Sequence, residues 1–198
     1  HPSVIKIGML SNVQVAAVVA DALERYSIPI ILDPVMVSSS GHRLLSVEAQ
    51  EVLKERLLPM AQLVTPNIPE MEALTDMPLL TISDKYNAAK HLLSLGVQSV
   101  LLKGGHEEGD TKVDILYQKS PQGIVTCSFS SDTLNTRNIH GTGCTLSSAI
   151  AAYMARGLDL KDAVSSAKIY ITEAIKAGAD ISVGNGYGPV NHLFNPLK

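Results

Sequence analysis

The chain has 198 residues, 45% of them hydrophobic, so it is long and apolar enough to bury a substantial core. Its formal net charge is -3 and its basic residues form no stripe, which argues against a nucleic-acid partner. The two cysteines, Cys127 and Cys144, form no CxxC pair, which excludes a zinc ribbon or a disulfide framework and favours a cytoplasmic location. No apolar run reaches membrane-spanning length, so we expect no membrane partner.

In the first half of the chain, short apolar runs alternate with segments of helical period. The apolar runs predict strands over 4–10, 28–34, 62–66 and 97–103. The segments between these runs predict four helices, which begin at Asn12, Ser46, Asn67 and Ser83. Asn12 and Ser83 can cap their helices. The four predicted helices end near Tyr26, Pro59, Leu74 and Leu95. Gly96 stops the last of these helices.

The second half of the chain begins with two alternating segments, 112–118 and 123–129, joined by a Pro-Gln-Gly turn that predicts a hairpin. Two long helices follow, over 143–156 and 160–177. This order predicts an α/β fold with a doubly wound, mostly parallel sheet flanked by helices, and 1–198 as a single domain. Because the first apolar run is typical of an interior strand, we expect the fold to be truncated at the N-terminus.

Ligands of open parallel sheets bind beyond the carboxyl ends of the strands, where this chain carries polar side chains. Those side chains are Asp33, Asn67, Glu70 and Lys103. Carboxylates and amides suit hydrated Mg²⁺, and a lysine suits phosphate. The alternative is that strand ends simply carry polar turn residues. For a functional site, we expect Lys103 and Glu70 on a solvent-facing rim outside the core.

The stretch TRNIHGTGCTLSSAIAAYMA, residues 136–155, places a glycine-rich turn directly before an apolar helix. Gly141, Thr142 and Gly143 would aim backbone N–H groups at an anion, with the helix dipole behind them. Cys144 would lie in the same field, which favours thiolate and a pKa below ~8.5. The alternative is a small core cysteine behind an ordinary turn. A Walker A loop is excluded, because GxxxxGK[ST] occurs nowhere in the sequence.

Three further features stay open between a functional and a structural interpretation. His106 and His140 flank the predicted site, where either can react or only form hydrogen bonds in a turn. The loop GNGYGPVNH, residues 184–192, either covers a ligand or joins the last helix to the tail.

Several of these stretches together resemble the hydroxymethylpyrimidine and hydroxymethylpyrimidine-phosphate kinases of thiamin synthesis, in the ribokinase-like superfamily. The matching stretches are KIGML, LDPVMVSSSG, LVTPNIPEMEAL, LLKGGH, NIHGTGCTLSSAIAAYMARG and GYGPVNH. They follow the family's order over nearly the whole chain. The resemblance implies an ATP-dependent kinase that uses Mg²⁺ and a small pyrimidine substrate, and that assembles as a homodimer.

The resemblance also implies roles for the residues of the glycine-rich turn and its neighbours. Gly141, Thr142 and Gly143 match the anion hole that holds the transferring phosphoryl group. Cys144 matches the catalytic base, and Lys103 matches the lysine near the ATP phosphates.

Metal and substrate roles follow from the same resemblance. Asn67 and Glu70 match an N-x-x-E motif that organises Mg²⁺ and phosphate through water, and Asp33 lies near the same metal. Met9 and Val35 match residues that line the pyrimidine pocket together with Cys144.

Family members also carry a glycine-rich AGSDxSGGAG-type segment near the front, which supplies much of the substrate site and has no counterpart here. We therefore expect this chain to be a poor catalyst. Two other activities stay open: a pyridoxal kinase of the same cysteine-bearing type, and a non-catalytic nucleotide-binding fragment.

Overall fold

The computed structural model of the chain describes residues 2–36, 44–105 and 109–195. Its sheet has six strands, which lie side by side in chain order. The strands are β1 (Ile5–Ile7), β2 (Ile30–Leu32), β3 (Leu63–Val64), β4 (Ser99–Leu102), β5 (Thr111–Ser120) and β6 (Gly123–Asp132). Strands β1 to β4 are parallel, and β5 and β6 form the predicted antiparallel hairpin.

Six α-helices accompany these strands in the described part of the chain. They are α1 (Val13–Leu23), α2 (Val47–Val52), α3 (Ile68–Thr75), α4 (Ile82–Ser94), α5 (Thr142–Ala155) and α6 (Leu160–Gly178). Helix α2 continues as a π turn over Leu53–Leu57 and a 3₁₀ turn over Leu58–Met60. No helix among the described residues is long and apolar enough to cross a membrane.

The sheet separates two hydrophobic cores, because neighbouring residues of a strand point to opposite faces. Leu32 of β2 packs into the core covered by α1 to α4, whereas Ile31 packs into the core covered by α5 and α6. The predicted α/β architecture, a mostly parallel sheet flanked by helices, is therefore confirmed. Strand β1 pairs only with β2 among the described strands, so it lies at the edge of this sheet.

The observed helix starts agree with the predicted ones at three of the four positions. Asn12, Ser46 and Asn67 each accept a hydrogen bond from a backbone N–H of the first turn. The prediction of Ser83 is wrong, because Thr81 caps α4 in a reciprocal box with Asp84. That box satisfies two backbone donors at once, which fixes the start of the helix two residues earlier.

Gly96 lies just after the end of α4 and has a backbone conformation that other residues rarely adopt. Its φ is +115°, and a Cβ there would lie 2.8 Å from the Cα of Pro59, just after the π turn. Close backbone approach therefore adds to the conformational requirement for glycine.

We predict that Gly96→Ala destabilises the protein more than Gly157→Ala does. Gly157 also has positive φ, +96°, but nothing lies within 4 Å of the added Cβ. Both variants should lose about 1 kcal/mol or more from backbone strain. Gly96→Ala should lose roughly 1–3 kcal/mol more through overpacking against Pro59. Urea unfolding of both variants measures the difference, and equal losses would show that the contact with Pro59 relaxes without cost.

Candidate active site

Asp33 forms the centre of a polar cluster at the carboxyl end of the parallel strands. The residue follows β2 directly and is 1% exposed. Its Oδ1 accepts hydrogen bonds from Thr65 Oγ1 at 3.1 Å and from Lys103 Nζ at 3.0 Å. Its Oδ2 accepts one from Ser147 Oγ on α5, also at 3.1 Å. One buried carboxylate thus joins the ends of β2, β3 and β4 to the first turns of α5.

Lys103 carries the positive charge of this cluster. Its Nζ lies 3.0 Å from Asp33 Oδ1 and 3.7 Å from Glu70 Oε2, and its side chain is 13% exposed. Burial disfavours the charged ammonium, but the two carboxylates outweigh burial and raise the pKa of Lys103. The lysine therefore stays protonated, with its charge directed at Asp33.

Glu70 and Asn67 form the capping box at the start of α3. Asn67 Oδ1 accepts from the Glu70 N–H, and Glu70 Oε2 accepts from the Asn67 N–H, both at 2.8 Å. Burial raises the pKa of Glu70, against the charge of Lys103, which lowers it. The expectation of a solvent-facing rim is wrong for both charged residues, since Glu70 is 6% exposed and Lys103 is enclosed beside it. Their pairing lets both charges be buried.

The glycine-rich turn has the features of an anion site. Gly141 precedes α5 with φ of +87°, and no side chain caps the helix. The N–H groups of Gly143 and Cys144 have no acceptor within the described ranges. A Cβ on Gly143 would lie 3.3 Å from Lys103 Nζ, so the lysine lies directly beneath the turn. Free donors, the helix dipole and a nearby ammonium all favour a bound anion here.

Cys144 lies in the first turn of α5 and is exposed. Partial burial raises the pKa of its thiol, and the Asp33 carboxylate raises it further, whereas Lys6 and Lys103 act in the opposite direction. The expectation of a lowered thiol pKa is therefore wrong. A carboxylate that is distant in sequence lies beside the thiol, and its charge opposes the helix terminus and the lysines.

A second buried ion pair supports the segment that follows Lys103. Asp114 of β5 accepts a hydrogen bond from the Gly104 N–H at 2.9 Å and another from Lys168 Nζ at 2.7 Å. Both side chains of the Asp114–Lys168 pair are nearly enclosed, at 5% and 12% exposure. This pair ties the turn after β4 to α6, and neither residue was predicted.

The structure brings most of the predicted site residues to one edge of the sheet. Met9 follows β1 and is 54% exposed, and Val35 lies two residues after Asp33 and is half-buried. His140 exchanges backbone hydrogen bonds with Gly188 and Val190, which joins the turn to the loop 184–192. His106 and the 37–41 part of the matched stretch lie outside the described residues.

Two residues near the cluster were missed by sequence reasoning. Ser147 lies four residues after Gly143, on the same side of α5, so helical period carried a signal for it. Lys6 is a charged residue inside an otherwise apolar strand, which is itself a signal.

Few side chains at this site could bind a magnesium ion directly. Within residues 2–36, 44–105 and 109–195, no group of three or more His, Cys, Asp or Glu side chains could hold a metal. Both oxygens of Asp33 accept protein donors, one of them an ammonium. Asp33 therefore does not fit as a direct ligand, and Glu70 fits only as a partner of metal-bound water.

The chain is similar to known proteins over nearly its whole length. The family model for phosphomethylpyrimidine kinase matches residues 1–191. The chain belongs to this family. The hydroxymethylpyrimidine/phosphomethylpyrimidine kinase of Rhizobium meliloti is 40% identical over 195 residues, which cover 98% of this chain and 72% of the relative.

The chain is also similar to a bifunctional protein and to a solved kinase structure. The thiamine biosynthesis bifunctional protein ThiED of Geobacter sulfurreducens is 44% identical over 192 residues, 96% of this chain but 38% of that protein. The solved pyridoxal kinase of Staphylococcus aureus in complex with AMP-PCP and pyridoxal is 31% identical, with a TM-score of 0.85 over 99% of this chain and 69% of that one. The ribokinase-like fold expected from the resemblance is thus confirmed.

We predict that the rate at which Cys144 reacts with iodoacetamide rises with pH, with a midpoint above the pKa of ~8.5 of an ordinary thiol. The measurement uses a Cys127→Ser background, so that one thiol reports. Asp33→Asn should lower the midpoint, because it removes the negative charge beside the sulfur. A midpoint at or below ~8.5, or no change with Asp33→Asn, would contradict the electrostatics described here.

Proposed function

We propose that the protein catalyses ATP-dependent phosphorylation of 4-amino-5-hydroxymethyl-2-methylpyrimidine and then of its monophosphate. The observation that carries this proposal is the uncapped start of α5, with Lys103 beneath Gly143 and Cys144 in the first turn. Membership of the phosphomethylpyrimidine kinase family supports it. Curated relatives with that activity in their names are about 40% identical over nearly the whole chain.

In the first reaction, the hydroxymethyl oxygen of the pyrimidine forms a bond to the γ-phosphorus of ATP. The bond between that phosphorus and the β,γ-bridging oxygen breaks, and ADP leaves. The transition state is loose and its charge is spread over the equatorial oxygens, so positioning and electrostatics dominate. The N–H groups of Gly143 and Cys144 would hold those oxygens, and Lys103 would offset their charge from below.

Cys144 would accept the proton that the substrate hydroxyl loses. A raised thiol pKa lowers the fraction of thiolate but makes that thiolate a stronger base. In a loose transition state the proton leaves late, after most of the bond to the leaving oxygen has broken. The base is then needed only once the hydroxyl has become acidic.

A polar groove beside the turn suits the nucleotide. It is lined by residues 135–138 before the turn and by residues 179–186 after α6. Asn138 holds the two walls together, because its Nδ2 donates to the carbonyls of Gly178 and Ile181 at 2.6 Å. Residues 135–138 of this groove precede residues 141–143 in the chain, so a nucleoside there would place its phosphates toward the anion turn. Glu70 would hold the waters of a magnesium ion bound to these phosphates, and that ion would neutralise part of their charge.

A pyridoxal kinase is the second candidate, and a specific observation favours it. The solved pyridoxal kinase bound to AMP-PCP and pyridoxal has the same fold with a TM-score of 0.85. Both substrates are planar heteroaromatic rings with a hydroxymethyl group. The chain is 40% identical to a pyrimidine kinase and 31% identical to this pyridoxal kinase, so the pyrimidine is the first candidate substrate.

Three further expectations stay predictions: a non-catalytic nucleotide-binding fragment, a homodimeric assembly and a cytoplasmic location.

We predict that the purified protein, supplied with Mg-ATP, phosphorylates the pyrimidine alcohol slowly, as expected of a poor catalyst, but with a higher kcat/KM than pyridoxal. The direct measurement is parallel turnover of both substrates with product detected by mass. Preference for pyridoxal would transfer the proposal to the second candidate. Tight ATP binding with no turnover of either substrate would identify a nucleotide-binding fragment.

Cys144→Ala should lower kcat by roughly 10²–10⁴, the range for loss of a general base. Cys144→Ser should lose as much, because a neutral hydroxyl is a poor base. The control is thermal unfolding of each variant beside the wild type. Unchanged kcat, or activity lost only in proportion to stability, would assign Cys144 to packing.

A further inference from the structure

Lys6 lies in the middle of β1 with its side chain on the α5 face of the sheet. Its register partner in β2 is Ile31, which belongs to the core beneath α5 and α6. The lysine is half-buried. A cation in an apolar strand is costly unless its charge reaches solvent or an anion.

The absence of a side chain at Gly8 leaves room for the Lys6 ammonium. A Cβ on Gly8 would lie 2.8 Å from Lys6 Nζ, closer than real Cβ atoms approach other groups. Residues two apart in a strand share a face, so the Lys6 side chain runs along β1 over Gly8. Its charge is thereby carried to the carboxyl end of the sheet, where it acts on Cys144.

Lys6 differs from the other enclosed lysines in having no carboxylate partner. Lys103 pairs with Asp33 and Glu70, and Lys168 pairs with Asp114. Across the described ranges, Lys6 donates no hydrogen bond and forms no ion pair. Its ammonium is therefore available to a ligand anion.

The charge of the cluster makes this availability significant. Asp33 and Glu70 against Lys103 leave a formal charge of -1 when both carboxyls are ionised, which repels an anionic substrate. Lys6 brings the sum to zero. It approaches from β1, whereas Lys103 approaches from β4, three strands away. The two cations thus lie on different sides of Asp33, one of them beneath the anion turn.

We propose that Lys6 binds the phosphate of the pyrimidine monophosphate and so determines the affinity for the second substrate relative to the first. This inference rests on the proposed function. Met9, expected to line the pyrimidine pocket, follows Gly8 directly, so Lys6 lies on the acceptor side of the site. The hydroxymethyl alcohol carries no charge for Lys6 to bind, whereas the monophosphate carries up to two.

Isothermal titration calorimetry with the pyrimidine alcohol and its monophosphate tests this assignment. Lys6→Met should weaken monophosphate binding by roughly ten- to a hundredfold, the scale of a charge-assisted hydrogen bond. The same variant should change alcohol binding less than about twofold, because no charge is lost there. Lys6→Arg should retain most of the monophosphate affinity. Lys90→Met, an exposed lysine on α4 across the sheet, is the matched control and should change neither affinity.

Gly8→Ala is an independent variant that keeps the charge but displaces the ammonium. It should also weaken the monophosphate selectively. Equal weakening of both ligands by Lys6→Met and Gly8→Ala would overturn the assignment and make Lys6 a structural residue. Unchanged monophosphate affinity in a folded Lys6→Met variant would overturn it too. If the wild type binds neither pyrimidine, the proposed function fails, and the inference fails with it.

Discussion

The buried carboxylate of Asp33 is the constraint on which the site depends. A charge that is 1% exposed is tolerated only with compensating donors, and here they come from three separate places in the chain. Thr65 follows β3, Lys103 follows β4 and Ser147 belongs to α5. Each donor that satisfies Asp33 also fixes the position of its own segment. The anion turn at Gly143 is held over Lys103 as a consequence.

This arrangement makes folding and function share the same charges. Lys103 neutralises Asp33 and Glu70 while lying next to the position where a phosphoryl group would bind. Cys144 lies in the same field, and its thiol responds to Asp33 on one side and to two lysines on the other. A bound phosphate would add negative charge to a cluster that is formally negative without Lys6. That is why an unpaired cation on β1 bears on which substrate binds.

The sequence was sufficient for features that depend on local pattern. Alternation of apolar runs predicted the order of strands, and Asn12 was identifiable as a cap from its position before an apolar helix. Placement of Asp33, Glu70 and Lys103 at one edge followed from the rule that strand ends converge. Their burial did not follow, because the Asp33–Lys103 pair spans 70 residues and depends on tertiary packing. The predicted direction of the Cys144 pKa was wrong for the same reason, since burial and the Asp33 carboxylate that raise this pKa both come from tertiary packing.

A double-mutant cycle between Asp33 and Lys103, read out by urea unfolding, tests the central role of this pair most directly. Lys103→Met alone should cost about 3–5 kcal/mol, because two buried carboxylates lose their cation. Adding Asp33→Asn should recover part of that loss, with a coupling free energy of about 2 kcal/mol or more. Lys54→Met, which breaks a pair with the 85% exposed Asp76, should cost less than about 1 kcal/mol. Effects of Asp33→Asn and Lys103→Met that add within about 0.5 kcal/mol would contradict the account, because independent residues behave in that way.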